Sequence, residues 1–140
     1  MAGAGFIIYS TRDSKRNVPN SDLLFLGLVG PQDFQEKHDG IFDIPKGTIE
    51  PGENALSTAL RELEEEASIV LPDKDYPFIE YEGLTIYLAQ CEQQAQIKPN
   101  PVTGLIEHQM ALYIAPSLLE DQAYDYLRPA ITWARKYLSK

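Results

Sequence analysis

Cysteine is nearly absent: Cys91 stands alone among 140 residues. A single thiol excludes an internal disulfide and fits a reducing compartment. No neighbouring His or Cys pattern makes it a metal ligand or a nucleophile, so it reads as a buried packing residue. Basic residues are in the minority, 12 Lys and Arg against 21 Asp and Glu, for a net charge of −9. That balance argues against a broad surface for duplex nucleic acid, whose phosphates need Lys and Arg. It leaves a nucleotide substrate open, because a bound cation inverts the local field. No apolar run approaches the roughly 20 residues of a membrane span. Signal-peptide and lipidation patterns are lacking, as are repeats and linkers. The expectation is a soluble cytoplasmic protein with no membrane partner.

What is present is globular. Hydrophobic residues make up 44% and charged residues 24%, a balance that builds one ordinary domain with a real core. Ala4–Tyr9 is short, apolar and β-prone and predicts a strand. Residues 10–21 are polar with Pro19 and Asn20, a loop. Its Arg12, Lys15 and Arg16 read as solvated charges or as phosphate contacts. Leu23–Val29 is a continuous apolar run, a buried strand. Residues 30–40 form a second polar loop, and Ile41–Ile44 a short strand. Further on, Phe78–Tyr81 and Gly83–Gln90 predict two strands with a turn near Glu82-Gly83. Residues 93–104, with Pro99 and Pro101, form a loop; Glu107–Ile114 is a strand candidate. Ser117 and Glu120 carry the spacing of a capping box opening a short helix. Pro129 suits the first turn of a final helix to about Leu138. There Trp133 and Tyr137, one turn apart, read as core residues.

One stretch organises the rest, Gly47–Ile69. It opens as a Gly/Pro loop and continues as good helix formers from about Asn54 to Ala67. On a helical wheel Leu56, Leu60, Leu63 and Ala67 form an apolar stripe. Glu62, Glu65 and Glu66 share a second arc, while Glu64 reads as a solvated face. Like charges one turn apart repel by a few tenths of a kcal/mol. A hard divalent cation, which prefers carboxylate oxygens, offsets that cost.

The stretch resembles the Nudix box: Gly, five residues, Glu, seven residues, then Arg-Glu-apolar-x-Glu-Glu-x-Gly-apolar. Gly47, Glu53, Arg61, Glu62, Leu63, Glu65, Glu66 and Ile69 stand at matching positions. Ser68 occupies the place of the final Gly, which predicts a slightly different helix exit. The resemblance implies an α/β/α sandwich with a mixed sheet between helices. It implies hydrolysis of a phosphoanhydride in a nucleoside diphosphate-linked substrate with Mg2+ or Mn2+. Glu62, Glu65, Glu66 and the backbone carbonyl of Lys46 would hold the ions. Arg61 would lie off the carboxylate arc and pair with Glu53, tying loop to helix. The general base would come from the box or from a later Glu, for which Glu107 is the candidate. The run Glu107-His108-Gln109, with Lys46 before the box, is similar to hydrolases that cleave diadenosine tetraphosphate asymmetrically. By that similarity Lys46 would contact a phosphate, and Tyr87, with Tyr81 nearby, would stack on a base. Phe42 stands where many relatives carry a stacking Trp, and His108 is either a substrate contact or a structural residue. RNA 5′-pyrophosphohydrolase, ADP-ribose or nucleotide-sugar pyrophosphatase, nucleoside triphosphate sanitiser and non-catalytic nucleotide sensor remain open as alternatives.

Overall fold

The computed structural model describes residues 2–11, 23–101 and 103–139. The loop charges Arg12, Lys15 and Arg16 lie outside them. In chain order, β1 (Gly3–Thr11) and β2 (Leu23–Val29) precede a short helix, α1 (Gln32–Lys37). β3 (Phe42–Asp43) and β4 (Lys46–Thr48) lead into α2 (Ala55–Ala67). β5 (Phe78–Tyr81), β6 (Leu84–Gln90) and β7 (Met110–Ile114) follow. Then come α3 (Pro116–Gln122), a 3-10 turn at Asp125–Leu127, and α4 (Arg128–Leu138).

The strands form one sheet in the order β3-β2-β1-β6-β5, with β4 added to β1 and β7 to β2. β1 runs parallel to β6, from Gly3 opposite Leu84 to Tyr9 opposite Gln90. The other pairings between strands are antiparallel, so the sheet is mixed. Both faces are covered, which is why β1 and β2 read as unbroken apolar runs. On one face Phe6, Ile8, Leu26 and Leu28 pack beneath Ala59, Leu63 and Ala67 of α2. On the other, Ile7, Phe25, Ile86 and Leu88 pack beneath Leu119 of α3 and Ala130, Ile131 and Ala134 of α4. Each large side chain buried this way contributes about 1.5–3 kcal/mol. The expected layers, helix on sheet on helix, are the observed ones.

The ends of α2 are locally determined. Asn54 caps the helix by accepting from the Ser57 N–H at 2.8 Å, and Ser57 Oγ accepts from the Asn54 N–H at 3.0 Å. Ser68 ends it in the left-handed region, φ 59° and ψ 30°. The predicted change of exit is therefore not seen: Ser68 takes the conformation a Gly would supply. Its Oγ donates to the Gln96 carbonyl at 3.1 Å, a bond that offsets part of the strain. The β5–β6 turn also needs φ > 0 at two adjacent positions, and Glu82 (49°) and Gly83 (81°) provide it.

Other expectations are corrected. Residues 30–40 contain α1, and the last predicted strand begins at Met110 rather than Glu107. α3 starts at Pro116 with Ala115 as its N-cap, and no side chain caps it. The fixed φ of Pro116 initiates the helix one residue before Ser117. Glu120 instead ties α3 to α4, accepting from Thr132 Oγ1 and Arg135 Nη1. Tyr137 packs at a tilt against Trp133, ring centres 5.7 Å apart, but is exposed. Cys91 is buried, as expected.

Candidate functional site

The box loop and α2 meet through a close approach at Gly47. A Cβ there would lie 2.1 Å from Glu62 Oε1 and 2.3 Å from its Cδ. Only glycine leaves room for the Glu62 carboxylate against the β4 backbone. Behind this contact, Glu53 gathers the loop. It accepts from the Glu50 N–H (3.0 Å), Thr58 Oγ1 (2.9 Å) and Arg61 Nε (2.8 Å). The Arg61 hydrogen bond, ahead of the Glu50 N–H, holds Glu53 down to about 2.

Arg61 does more than pair with Glu53. Its Nη1 donates to Glu62 Oε1 at 2.9 Å and to Glu65 Oε2 at 3.2 Å. The pairing with Glu53 is as expected, and the guanidinium also reaches the box acids although position 61 lies off their arc. The long side chain folds back across the i+1 and i+4 positions, which a wheel of Cβ directions does not show.

Glu66 is the buried member of the acid set, 8% exposed. Its Oε1 accepts the Lys46 N–H at 2.9 Å, and its Oε2 lies 3.4 Å from His108 Nδ1. Burial, then the nearby Asp43 charge, pushes its pKa up to about 10. Glu62 is also raised, by burial ahead of other causes, although Arg61 and a hydrogen bond with Glu66 hold it down. Glu62 and Glu66 share a hydrogen bond, and Glu65 is tied to Glu62 through the Arg61 guanidinium, so the turn of α2 concentrates hard oxygen donors. That donor chemistry fits Mg2+ or Mn2+.

Asp43 completes the interior and was absent from the sequence-level candidates. Its Oδ2 is 3.0 Å from His108 Nε2, and its Oδ1 accepts the Ile44 N–H at 2.8 Å. Lys46 Nζ stands 3.3 Å from Asp43 Oδ1 and 5.4 Å above the Tyr126 ring. Burial opposes the charges of both groups. The Lys46 ammonium, with His108 and the Ile44 N–H, still keeps Asp43 below the usual carboxylate range. Asp43, Tyr126 and Glu66 keep Lys46 above its ordinary value. Asp43, Glu66 and His108 also bring three ligand atoms within 4.8 Å of one another. The Lys46 ammonium already supplies positive charge there, so the cluster reads as an ion-pair ring and not a second cation seat.

Several candidate contacts are therefore corrected. The Lys46 ammonium is committed to Asp43 rather than presented as a free point charge for phosphate. His108 is 6% exposed, with each ring nitrogen beside a carboxylate, so its polar atoms are engaged inside the protein although the ring borders the cleft next to Glu66. Phe42 is 6% exposed in the core on the α3–α4 side of the sheet and offers no stacking surface. Tyr87 is half-buried between Phe6 (5.6 Å) and Phe78 (5.5 Å). Tyr81 donates to the Tyr126 carbonyl. Neither Tyr lines the cleft beside the acids. That cleft is bounded by Glu65, Glu66, Ile97, Lys98, Asn100, Glu107 and His108. Glu107, exposed and bonded to Asn100 Nδ2 at 3.3 Å, thus shares one recess with two box acids.

Comparison with known proteins agrees with this geometry. The NUDIX domain model matches residues 17–128. C. elegans Ap4A hydrolase, solved as a binary complex, has the same fold: TM-score 0.65, 20% identity, 98% of each chain covered. The NUDIX domain of Shewanella oneidensis NrtR, complexed with ADP ribose, gives 0.66 at 16% identity, covering 99% of this chain and 88% of that one. A MutT structure from work on the Aliivibrio salmonicida and Vibrio cholerae proteins gives 0.61 at 17% identity, with 97% of each covered. No curated protein matches the sequence. With the family model spanning most of the chain, and the Gly47 loop folded onto the acidic turn of α2 as the box requires, this protein belongs to the Nudix hydrolase family.

Proposed function

We propose that this Nudix hydrolase splits a phosphoanhydride bond of a dinucleoside polyphosphate, such as diadenosine tetraphosphate, in the presence of Mg2+ or Mn2+. One observation carries the reading: Glu107, brought from a loop some forty residues beyond the box, shares a cleft with Glu65 and Glu66. The whole-length likeness of fold to C. elegans Ap4A hydrolase supports that choice of substrate.

Glu62, Glu65, Glu66 and the Lys46 carbonyl would hold the cation. When bound, it neutralises phosphate charge and lowers the pKa of water. The chain's own part is positional and acid–base. Glu53 and Arg61 fix the loop to α2 so that Glu62 keeps its place against Gly47. Glu107 accepts the proton of the attacking water as its oxygen bonds to phosphorus; the bridging oxygen leaves with its nucleotide. Phe78, half exposed and packed on Tyr87, offers an aromatic surface on which a base could stack. The setting is a reducing cytoplasm, consistent with the unpaired Cys91. Among the described residues no helix is long and apolar enough to cross a membrane.

ADP-ribose is the second substrate reading, supported by the ligand named for the NrtR domain. The test is incubation with Mg2+ and a nucleotide panel, with products separated chromatographically. ATP and AMP from diadenosine tetraphosphate are expected. AMP and ribose 5-phosphate from ADP-ribose, with the dinucleotide untouched, would transfer the assignment to the second reading. Turnover of neither would refute both.

A further inference from the structure

Glu66 differs from its partner acids in how it is held. It occupies the inward face of α2 beside Leu63 and Ala67, both fully buried. An ionisable group there costs several kcal/mol of desolvation unless it is bonded on every side that is not used. The structure surrounds Glu66 from three separate elements, with one backbone hydrogen bond and a 3.4 Å approach of an imidazole that is itself held by a carboxylate. The Lys46 N–H of β4 takes Oε1. His108, from the segment before β7, meets Oε2. Asp43 of β3 meets the far ring nitrogen of His108, and Lys46 Nζ returns to Asp43. The contacts close a ring: Lys46, Asp43, His108, Glu66 and back to Lys46. His108 and Glu66 both border the cleft they share with Glu65 and Glu107, while Asp43 and Lys46, the rest of the ring, are not among the residues that line it.

We infer that Asp43 and His108 are positioning residues, a buried carboxylate–imidazole clamp that sets the orientation of the Glu66 carboxylate toward a divalent cation. The inference rests on the proposed function for the role of Glu66 itself. Residues behind a metal ligand fix its direction, and losing one costs about 10–100-fold in metal affinity or activity. A ring built only for stability would gain from apolar replacement, because buried ion pairs seldom exceed well-packed hydrophobic residues. Glu66 lies in the box and His108 directly follows Glu107, so their contact also couples the box to the loop that carries Glu107.

The test uses the full chain and near-isosteric changes that keep the volume of the buried ring. The amide of H108N falls near the Nδ1 position and still meets Glu66. The amide of H108Q falls near Nε2, meets Asp43, and leaves Glu66 Oε2 without its partner. Mn2+ binding is read by electron paramagnetic resonance on folded protein, alongside kcat and KM for diadenosine tetraphosphate. H108Q should weaken Mn2+ binding by about 10–100-fold and lower kcat with KM little changed, while H108N stays within severalfold of wild type. E66Q should weaken Mn2+ binding, and E66Q/H108Q should bind it no more weakly than E66Q alone, because His108 acts through Glu66. Wild-type Mn2+ affinity in H108Q, or additive losses in the double variant, overturns the clamp. Wild-type Mn2+ affinity in E66Q removes Glu66 from the cation site and overturns the clamp with it. The expected ranking of Mn2+ affinities across the series, without turnover of any nucleotide, fails the proposed substrate but upholds the clamp.

Discussion

Adding one methyl group at Gly47 separates catalysis from folding. The backbone there lies outside the left-handed region, so alanine is tolerated locally. Its Cβ would sit 2.1 Å from Glu62 Oε1, against an ordinary contact of at least 3.4 Å. The carboxylate must therefore retreat by about 1.3 Å, and it can, because it ends a flexible side chain. The partly exposed ion pair with Arg61 is weakened, at a cost of about 0.5–1 kcal/mol. The lower entropy of the unfolded chain on Gly→Ala returns about 0.4–1 kcal/mol. Stability should stay within about 1 kcal/mol of wild type. Activity should not, since a displacement near 1 Å at a reacting centre costs about 100-fold. Urea denaturation and initial rates on diadenosine tetraphosphate with Mg2+ measure the two quantities on one preparation. G47A/E62A should match E62A alone, because the three closest atoms the methyl would meet all belong to the Glu62 side chain. A folded G47A enzyme with kcat within twofold of wild type would refute the reasoning, showing that the position of Glu62 against β4 is not used.

Glu66→Gln should make the metal-free protein more stable while removing activity. An acid whose pKa rises from 4.5 to about 10 on folding holds its proton more tightly when folded. Its contribution is full below pH 4.5 and is lost as pH rises toward 10. Thermal melts in chelator should favour E66Q by about 2–4 kcal/mol at pH 8, with the gap closing toward pH 5; equal melting at pH 8 would contradict the burial argument. Glu53 has the opposite sign: with its pKa near 2, its contribution is present above pH 4.5 and lost as pH falls. E53Q should therefore reduce the loss of stability that wild type shows between pH 4.5 and pH 2, checked by the same melts. Leu63→Ala should cost about 2–5 kcal/mol, and Leu60→Ala less, because Leu63 is fully buried and Leu60 only partly. Denaturation midpoints that rank them the other way would mean the helix face is misassigned. Ser68→Ala should be less stable than Ser68→Gly by about 1 kcal/mol, since alanine keeps the left-handed strain and loses the bond to Gln96.

Much of the fold was legible because it rests on local pattern. β2 and β5 fall where their apolar runs begin and end, and α2 was marked by its stripe and its loop. α1 was not legible: it is six residues long and buries none, so it carries no hydrophobic period. β4 was hidden inside the box loop, because its three residues become a strand only by pairing with Gly3–Gly5. The candidate site divides the same way. Gly47, Glu53, Arg61 and the acids were fixed by spacing, and Glu107 reaches the same cleft. Asp43 was missed because an Asp in a short apolar strand looks like a boundary; only tertiary contact with Lys46 and His108 gives it a role. Phe42 was misread for a related reason. A stacking residue and a core residue share one chemistry, and the sheet face it occupies decides between them.

The parallel pairing of β1 with β6 sets the order of events on the ribosome. Residues 3–9 find their partners at 84–90. At about 5–20 residues per second, the edge of β1 that β6 will pair waits on the order of ten seconds, while β2 and β4 reach the strand sooner. During that interval the nascent chain presents an unpaired edge, so its yield in the cell should depend on chaperone occupancy more than on the stability of the finished molecule.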